Sequence, residues 1–160
     1  MKKWILCVGC AIGVILGITL IFLAVTARMN KKAIEEVLTQ DQWHGYKTIK
    51  EKYEYMSRIK LTKCPVDFRK KYIAHVKAWG ELALVESDAQ IFRDNYTSWS
   101  AYLEAFVRGM LFDTGFIGEA KTAQAKLKDH YFRTLGIVKD TWHDVLTCAT
   151  EYGVDTSKYL

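Results

Sequence analysis

Residues 65–86, PVDFRKKYIAHVKAWGELALVE, are the most regular stretch of the sequence and decide the fold. Large side chains recur in it at steps of four, three, four and three residues, which places them on one face of an α-helix. They are Phe68, Tyr72, His75, Trp79 and Leu82. Pro65 suits the first turn of this helix, because a backbone N–H at that position has no helical partner to lose. The spacing predicts a helix from Pro65 to about residues 86–88 that packs against other helices.

The same period continues on both sides of this stretch. It predicts a helix over residues 46–59, a third starting at Thr97 or Ser98, a fourth over residues 119–135, and a last one from Val138 that ends at Gly153. Glycines at positions 109, 115 and 118 predict a loop after the third helix. Long alternating Val/Ile/Thr runs and Asn-Gly or Asp-Gly turns, which are typical of strands, are absent from the sequence. We therefore expect an all-α domain, a four- or five-helix bundle, over residues 33–160.

A long uncharged segment precedes this domain. Residues 4–27 are 24 residues without a charge, and a helix of roughly 20 residues already crosses a bilayer. Lys2 and Lys3 lie before the segment, and Arg28, Lys31 and Lys32 follow it. Residues 1–32 are therefore predicted to form an N-terminal membrane anchor, a single transmembrane helix with flanking cations. A signal peptide cleaved after Ala27 is an alternative, although its apolar run would be unusually long.

The anchor also carries a motif for association between helices. Gly9, Gly13 and Gly17 are four residues apart and share one helix face, where a second backbone can approach closely. This pattern predicts a homodimer through the membrane helix, although glycine is common in membrane segments in any case. The cations at the two ends are balanced, so they do not fix the orientation. The short Met-Lys-Lys start has the form of an export signal and favours a domain outside the cytoplasm.

The net charge of +5 belongs to the anchor. Five of the 23 basic residues flank the apolar segment, and the remaining 18 are balanced by 18 acidic residues, so the domain is neutral. Within it, residues 46–77 contain ten Lys or Arg against three acidic residues. These cations are either the solvated faces of two helices or a surface that binds anionic lipid head groups. No nucleic-acid-binding motif accompanies them, so we expect no nucleic-acid partner.

Candidate chemistry in the domain is limited to two cysteines and two histidines. Cys64 and Cys148 predict a disulfide if the domain is exported, and two buried free thiols otherwise. His75 and His130 are the candidates for a polar site in a cleft of the bundle, although each is also explained as a core histidine with a hydrogen bond. The histidine spacings fit no zinc motif, and there is no phosphate-binding loop or nucleophile elbow. We expect no metal and no cofactor.

Two groups of residues carry a resemblance. The first is Cys64, Pro65, Val66, Asp67, Phe68, Tyr72, His75, Ala78 and Trp79, and the second is Thr141, Trp142, Val145, Ala149, Tyr152 and Gly153. Together they resemble a pattern found in uncharacterised bacterial proteins that are membrane-anchored or exported, and they cover about a quarter of the domain. The resemblance implies a bacterial origin and, with the anchor, a single-pass protein of the inner membrane with its domain on the periplasmic or extracellular side. It implies no activity.

The sequence predicts a membrane-tethered, non-enzymatic module that binds an unidentified protein partner at the cell envelope, or that has a structural role there. One alternative is an envelope enzyme with a His/carboxylate site in the bundle. The other is a lipid-surface binder that uses the basic residues 46–77.

Overall fold

The chain folds into helices throughout the part that the structure describes. The structure, a computed structural model, describes residues 2–42, 45, 47–97 and 114–159; the side chains of residues 2–14, 89, 91–97, 114–121, 123 and 124 are outside this description. The elements are α1 (Lys2–Asp41), α2 (Ile49–Met56), α3 (Val66–Thr97), α4 (Thr114–Glu151) and a 3₁₀-helix (Ser157–Tyr159). These ranges contain no strand, so the predicted all-α class is confirmed. The third helix was predicted to start at Thr97 or Ser98. Thr97 is the last residue of α3, and residues 98–113, which the rest of this prediction concerns, lie outside the described ranges.

Helix α1 is continuous across the predicted boundary between anchor and domain at residues 32 and 33. Its buried face starts at Ala33 and includes Ile34, Val37 and Leu38, all at most 7% exposed. Before this face, large apolar side chains are more than half exposed to solvent. They are Ile15, Leu16, Ile18, Leu20, Ile21, Phe22, Leu23, Val25 and Met29. Within the described residues, no helix has both the length and the apolar character of a membrane span. The transmembrane helix therefore stays a prediction.

The antiparallel pair of α3 and α4 forms the body of the domain. Three side-chain contacts give its register: Asp67 with Tyr152, Lys71 with Asp144, and His75 with Thr141. The predicted stripe on α3 is confirmed as its packed face, with Phe68, Tyr72, His75 and Leu82 at most 3% exposed. Helix α3 continues past its predicted end to Thr97, because no glycine or proline interrupts residues 81–97.

Helix α2 is a short helix that packs against α3. Thr48 caps its start by accepting a hydrogen bond from the backbone N–H of Glu51 at 3.1 Å, and Glu86 of α3 accepts one from the N–H of Ile49 at 3.2 Å. Gly80 allows the two helices to come close, because a Cβ atom there would lie 2.9 Å from the ring of Tyr53. Helix α2 therefore has a fixed position beside α3.

The prediction of two separate helices over residues 119–152 is wrong, because α4 is one helix from Thr114 to Glu151. The predicted loop positions 115 and 118 also lie within it. Gly136 lies between the two predicted helices, but a glycine inside a helix costs only about 1 kcal/mol and does not end it. The buried positions Thr134, Val138 and Val145 follow one another in phase across Gly136, so a single helix buries one continuous face.

Gly153 ends α4 as predicted. It adopts a φ of +73°, its N–H donates to Thr150, and the N–H of Val154 donates to Ala149, which is the Schellman arrangement. The chain then turns back along the domain, and the hydroxyl of Tyr159 lies 3.2 Å from that of Thr39 on α1. The C-terminal 3₁₀-helix thus closes one side of a space between α1, α3 and α4.

Candidate functional site

A cavity of about 690 Å³ lies between α1, α3, α4 and the C-terminal 3₁₀-helix. Its walls are mainly apolar and are formed by Leu38, Trp79, Phe132, Leu135, Val138 and Trp142. Phe132 and Leu135 are 58% and 40% exposed, so the cavity opens to solvent on the α4 side. Small-molecule sites in proteins have volumes of roughly 300–1,000 Å³ and walls of this composition. This cavity is the best candidate for a binding site in the described part of the chain.

A buried ion pair lines the cavity where α1 ends. The Nζ of Lys52 lies 2.5 Å from the Oδ1 of Asp41 and also donates to the backbone carbonyl of Asp41. Both side chains are almost fully buried, with 6% and 2% exposed. Because the carbonyl end of a helix carries a partial negative charge, an ammonium group at Asp41 is favourable. Lys52 therefore fixes α2 to the end of α1, and its Nζ lies 6.0 Å from the centre of the Trp79 ring.

His75 also lines the cavity and uses both ring nitrogens. The indole N–H of Trp79 donates to its Nε2 at 3.1 Å, so Nε2 is an acceptor and the proton lies on Nδ1. Nδ1 lies 3.0 Å from the hydroxyl of Thr141, which donates in turn to the carbonyl of Ile137 at 2.9 Å. Burial and, after it, the nearby Lys52 ammonium lower the pKa of His75 from 6.5 to about 4. The imidazole is therefore neutral at pH 7.

The structure does not bring the two predicted site histidines together. His130 is exposed on α4 and does not line the cavity, whereas His75 is buried. Among the described residues, the one carboxylate that lines the cavity, that of Asp41, is held by Lys52. In the described ranges, no three His, Cys, Asp or Glu side chains are grouped so that they could hold a metal ion. His75 thus matches the alternative given above, a core histidine whose hydrogen bonds are satisfied.

The two domain cysteines are buried and free, so the structure does not contain the predicted disulfide. The thiol of Cys64 donates to the carbonyl of Ala33 at 3.5 Å. Burial raises the pKa of both thiols, which favours their protonated form. Pairing of Cys64 with Cys148 in an oxidising compartment stays a prediction.

The other sequence candidates are located as follows. Gly17 lies on α1 with open space where a Cβ would be, while the surroundings of Gly9 and Gly13 are outside the description. Of the ten cations within residues 46–77, Lys52 is buried, Arg69 is half-buried and the others are exposed. Lys71 pairs with Asp144 at 3.0 Å, but both side chains are about half exposed, so this pair adds little stability.

Sequence reasoning missed Lys52 and Asp41 as site residues. The signal for Lys52 was its spacing, because it follows Ile49 by three residues and precedes Met56 by four, which places it on the apolar face of α2. Asp41 carried no comparable signal. It is buried because Lys52 reaches it from another helix.

No protein-family model matches this chain, and neither a curated protein nor a solved structure was found to be similar to it. The resemblance to the uncharacterised bacterial family therefore stays a prediction.

Proposed function

We propose that this chain is a membrane-tethered helical module of the bacterial cell envelope that acts by binding and not by catalysis. The observation that carries this proposal is the continuity of α1. The same helix exposes apolar side chains from Ile15 to Met29 and buries its next turns, from Ala33, in the domain core. Exposed apolar side chains on this scale require a lipid or protein environment. A bilayer fits best, because the uncharged sequence starts at Trp4 and has cations at both ends.

In this proposal the tether also sets the position of the domain. From Arg28 to Ala33 the helix rises by about 8 Å, so the domain core begins close to the head groups. The Met-Lys-Lys start followed by the apolar segment has the form of an export signal, which favours a domain on the periplasmic or extracellular side and an anchor in the inner membrane. Gly9, Gly13 and Gly17 would provide a face for a homodimer through the membrane helix, and a further protein partner would bind the domain.

Binding is favoured over catalysis by the state of His75. A general base needs a free nitrogen within reach of a substrate proton. Both nitrogens of His75 are engaged, by Trp79 and Thr141, and its low pKa makes it a weak base. The mainly apolar walls of the cavity also suit a ligand that is held and not transformed.

The anchor predicts that the chain resists extraction from membranes at alkaline pH. We expect a double variant, Ile15→Lys with Ile18→Lys, to be largely recovered in the soluble fraction, because each lysine near the centre of a bilayer costs about 3 kcal/mol. The measurement is carbonate extraction of membranes containing the full chain. Two lysines introduced at exposed positions of the domain, Glu54→Lys and Glu81→Lys, are the matched control and should leave the chain in the pellet.

Extraction of the unchanged chain by carbonate would contradict the tether. Mass spectrometry of the membrane-bound protein distinguishes a second case. A mature chain that begins at Arg28 would show that the apolar segment is a cleaved signal peptide.

A second candidate function is binding to anionic lipid through the basic loop between α2 and α3. The contact of Cys64 with Ala33 places the end of this loop beside the first buried turn of α1, and hence near the proposed membrane surface. Arg58, Lys60 and Lys63 are exposed on the loop. Cations near an anionic surface each contribute about 1 kcal/mol at low salt.

Lipid binding by this loop predicts protection from trypsin. In vesicles containing phosphatidylglycerol, we expect cleavage after Arg58, Lys60 and Lys63 to be slower than in pure phosphatidylcholine vesicles, and high salt should remove the difference. The measurement is the rate of appearance of each fragment from the full chain. Equal rates in the two lipids at low salt would exclude this function.

A further inference from the structure

We infer that the cavity between α1, α3 and α4 binds a small amphipathic anion, that is, an organic molecule with an apolar body and one negatively charged group such as a carboxylate. The inference rests on the proposed binding function and deepens it, because it assigns the site and the chemical class of the ligand.

The apolar body of the ligand is indicated by the cavity walls. Trp79 and Trp142 come from α3 and α4, and Phe132 and Leu135 present exposed apolar surface at the opening. Aromatic rings offer a large contact area to an aliphatic or aromatic ligand and lose little conformational freedom on binding. A volume of about 690 Å³ accommodates a single chain of twelve or more carbons.

The negative charge of the ligand is indicated by the charges that face the cavity. Of the residues that the structure describes, three lysines, Lys52, Lys139 and Lys158, line it together with one carboxylate, that of Asp41. Lys52 and Asp41 neutralise each other in the buried pair. Lys139 and Lys158 are exposed, and no ion pair involves them in the described part of the chain. His75 is neutral and adds no charge, so the described residues that line the cavity carry a net positive charge.

Three probes with a twelve-carbon chain test the inference: laurate, dodecanol and dodecyltrimethylammonium. The full chain is placed in phosphatidylcholine nanodiscs, and binding is followed by tryptophan emission after subtraction of the signal from empty discs. We expect laurate to bind at least about tenfold more tightly than dodecanol, and dodecyltrimethylammonium to bind most weakly. Equal affinity for laurate and dodecanol would overturn the assignment of the ligand's charge.

Charge variants locate the anionic group of the ligand. Lys139→Gln with Lys158→Gln should weaken laurate binding about tenfold and leave dodecanol binding unchanged. Lys77→Gln with Lys126→Gln is the matched control, because both lysines are exposed and lie outside the cavity. The same loss in the control pair would mean that laurate responds to overall charge and not to this site.

A blocking variant locates the apolar body of the ligand. Gly136 lines the cavity in the middle of α4, and a Cβ atom there would meet open space. Gly136→Leu should therefore place a branched side chain in the cavity and favour the helix, so that the melting temperature is unchanged or raised. We expect it to weaken laurate binding more than about tenfold, whereas Gly136→Ala should retain binding. Unchanged laurate binding by Gly136→Leu would overturn the inference, and membrane association in carbonate extraction would still stand as the separate test of the tether.

Discussion

Replacing Lys52 with methionine will lower the free energy of unfolding by about 3–5 kcal/mol, because it takes the Lys52 ammonium away from the buried Asp41 carboxylate. The variant also removes the cation from the carbonyl end of α1, where Lys52 bonds the backbone of Asp41. Methionine preserves most of the volume of the lysine stem, so the loss reflects charge and hydrogen bonding more than a cavity. The measurement is urea unfolding of the full chain in detergent micelles, followed by tryptophan emission.

Two further variants isolate the ion pair. Lys50→Met on the same helix is the matched control, and because Lys50 is exposed we expect a change below about 0.5 kcal/mol. Asp41→Asn combined with Lys52→Met removes both charges and should be more stable than Lys52→Met alone. If Lys52→Met were as stable as Lys50→Met, the ion pair would not hold α2 against α1.

The parts of the fold that could be predicted are those in which one segment determines its own packing. The stripe on α3 was identified because a period of 3.6 residues places Phe68, Tyr72 and Leu82 on one face, and any bundle must bury that face. Gly153 was identified for a similarly local reason, since few other residues adopt a φ of +73° at a helix end. Neither prediction required knowledge of which element packs opposite.

Predictions failed where the outcome depended on the balance between the helix propensity of one residue and the burial of its helix against another segment. A glycine such as Gly136 is a weak signal, because its cost of about 1 kcal/mol is small compared with the burial of a continuous helix face. The face from Thr134 to Val145 stays in phase across it, so α4 does not break. Whether Gly136 ends the helix could not be predicted from the sequence, because the answer depends on α3 lying along both halves of α4.

The candidate site was the least predictable feature, because it is assembled from segments far apart in the chain. Leu38, Trp79 and Trp142 line the same cavity from three different helices. His75 was identified as a candidate from its position on the stripe, but its pairing with Thr141 depends on the register of α3 and α4. The predicted convergence with His130 was not observed, since His130 lies on an exposed part of α4.

The low pKa of His75 predicts that the domain loses stability in mildly acidic solution. In the unfolded chain the imidazole takes up a proton near pH 6.5, whereas in the folded domain it does so only near pH 4. The unfolded state therefore binds more protons between these values, and stability falls as the pH decreases from 6.5 to 4. The two pKa values correspond to a loss of about 3 kcal/mol. Above pH 6.5 the neutral His75 costs no stability, and below pH 4 the loss of stability due to His75 does not increase further.

A non-titrating variant separates this effect from the rest of the acid response. His75→Gln should flatten the profile of unfolding free energy against pH between 6.5 and 4, whatever its stability at pH 7. His130→Gln is the matched control and should keep the slope of the unchanged chain, because His130 is exposed. Asp67, whose pKa is lowered by the Tyr152 hydroxyl, loses its contribution only below about pH 4 and so falls outside this window. A slope that persists in His75→Gln would mean that burial and the Lys52 ammonium do not hold the imidazole neutral, and the argument from its low pKa against a catalytic His75 would then fail as well.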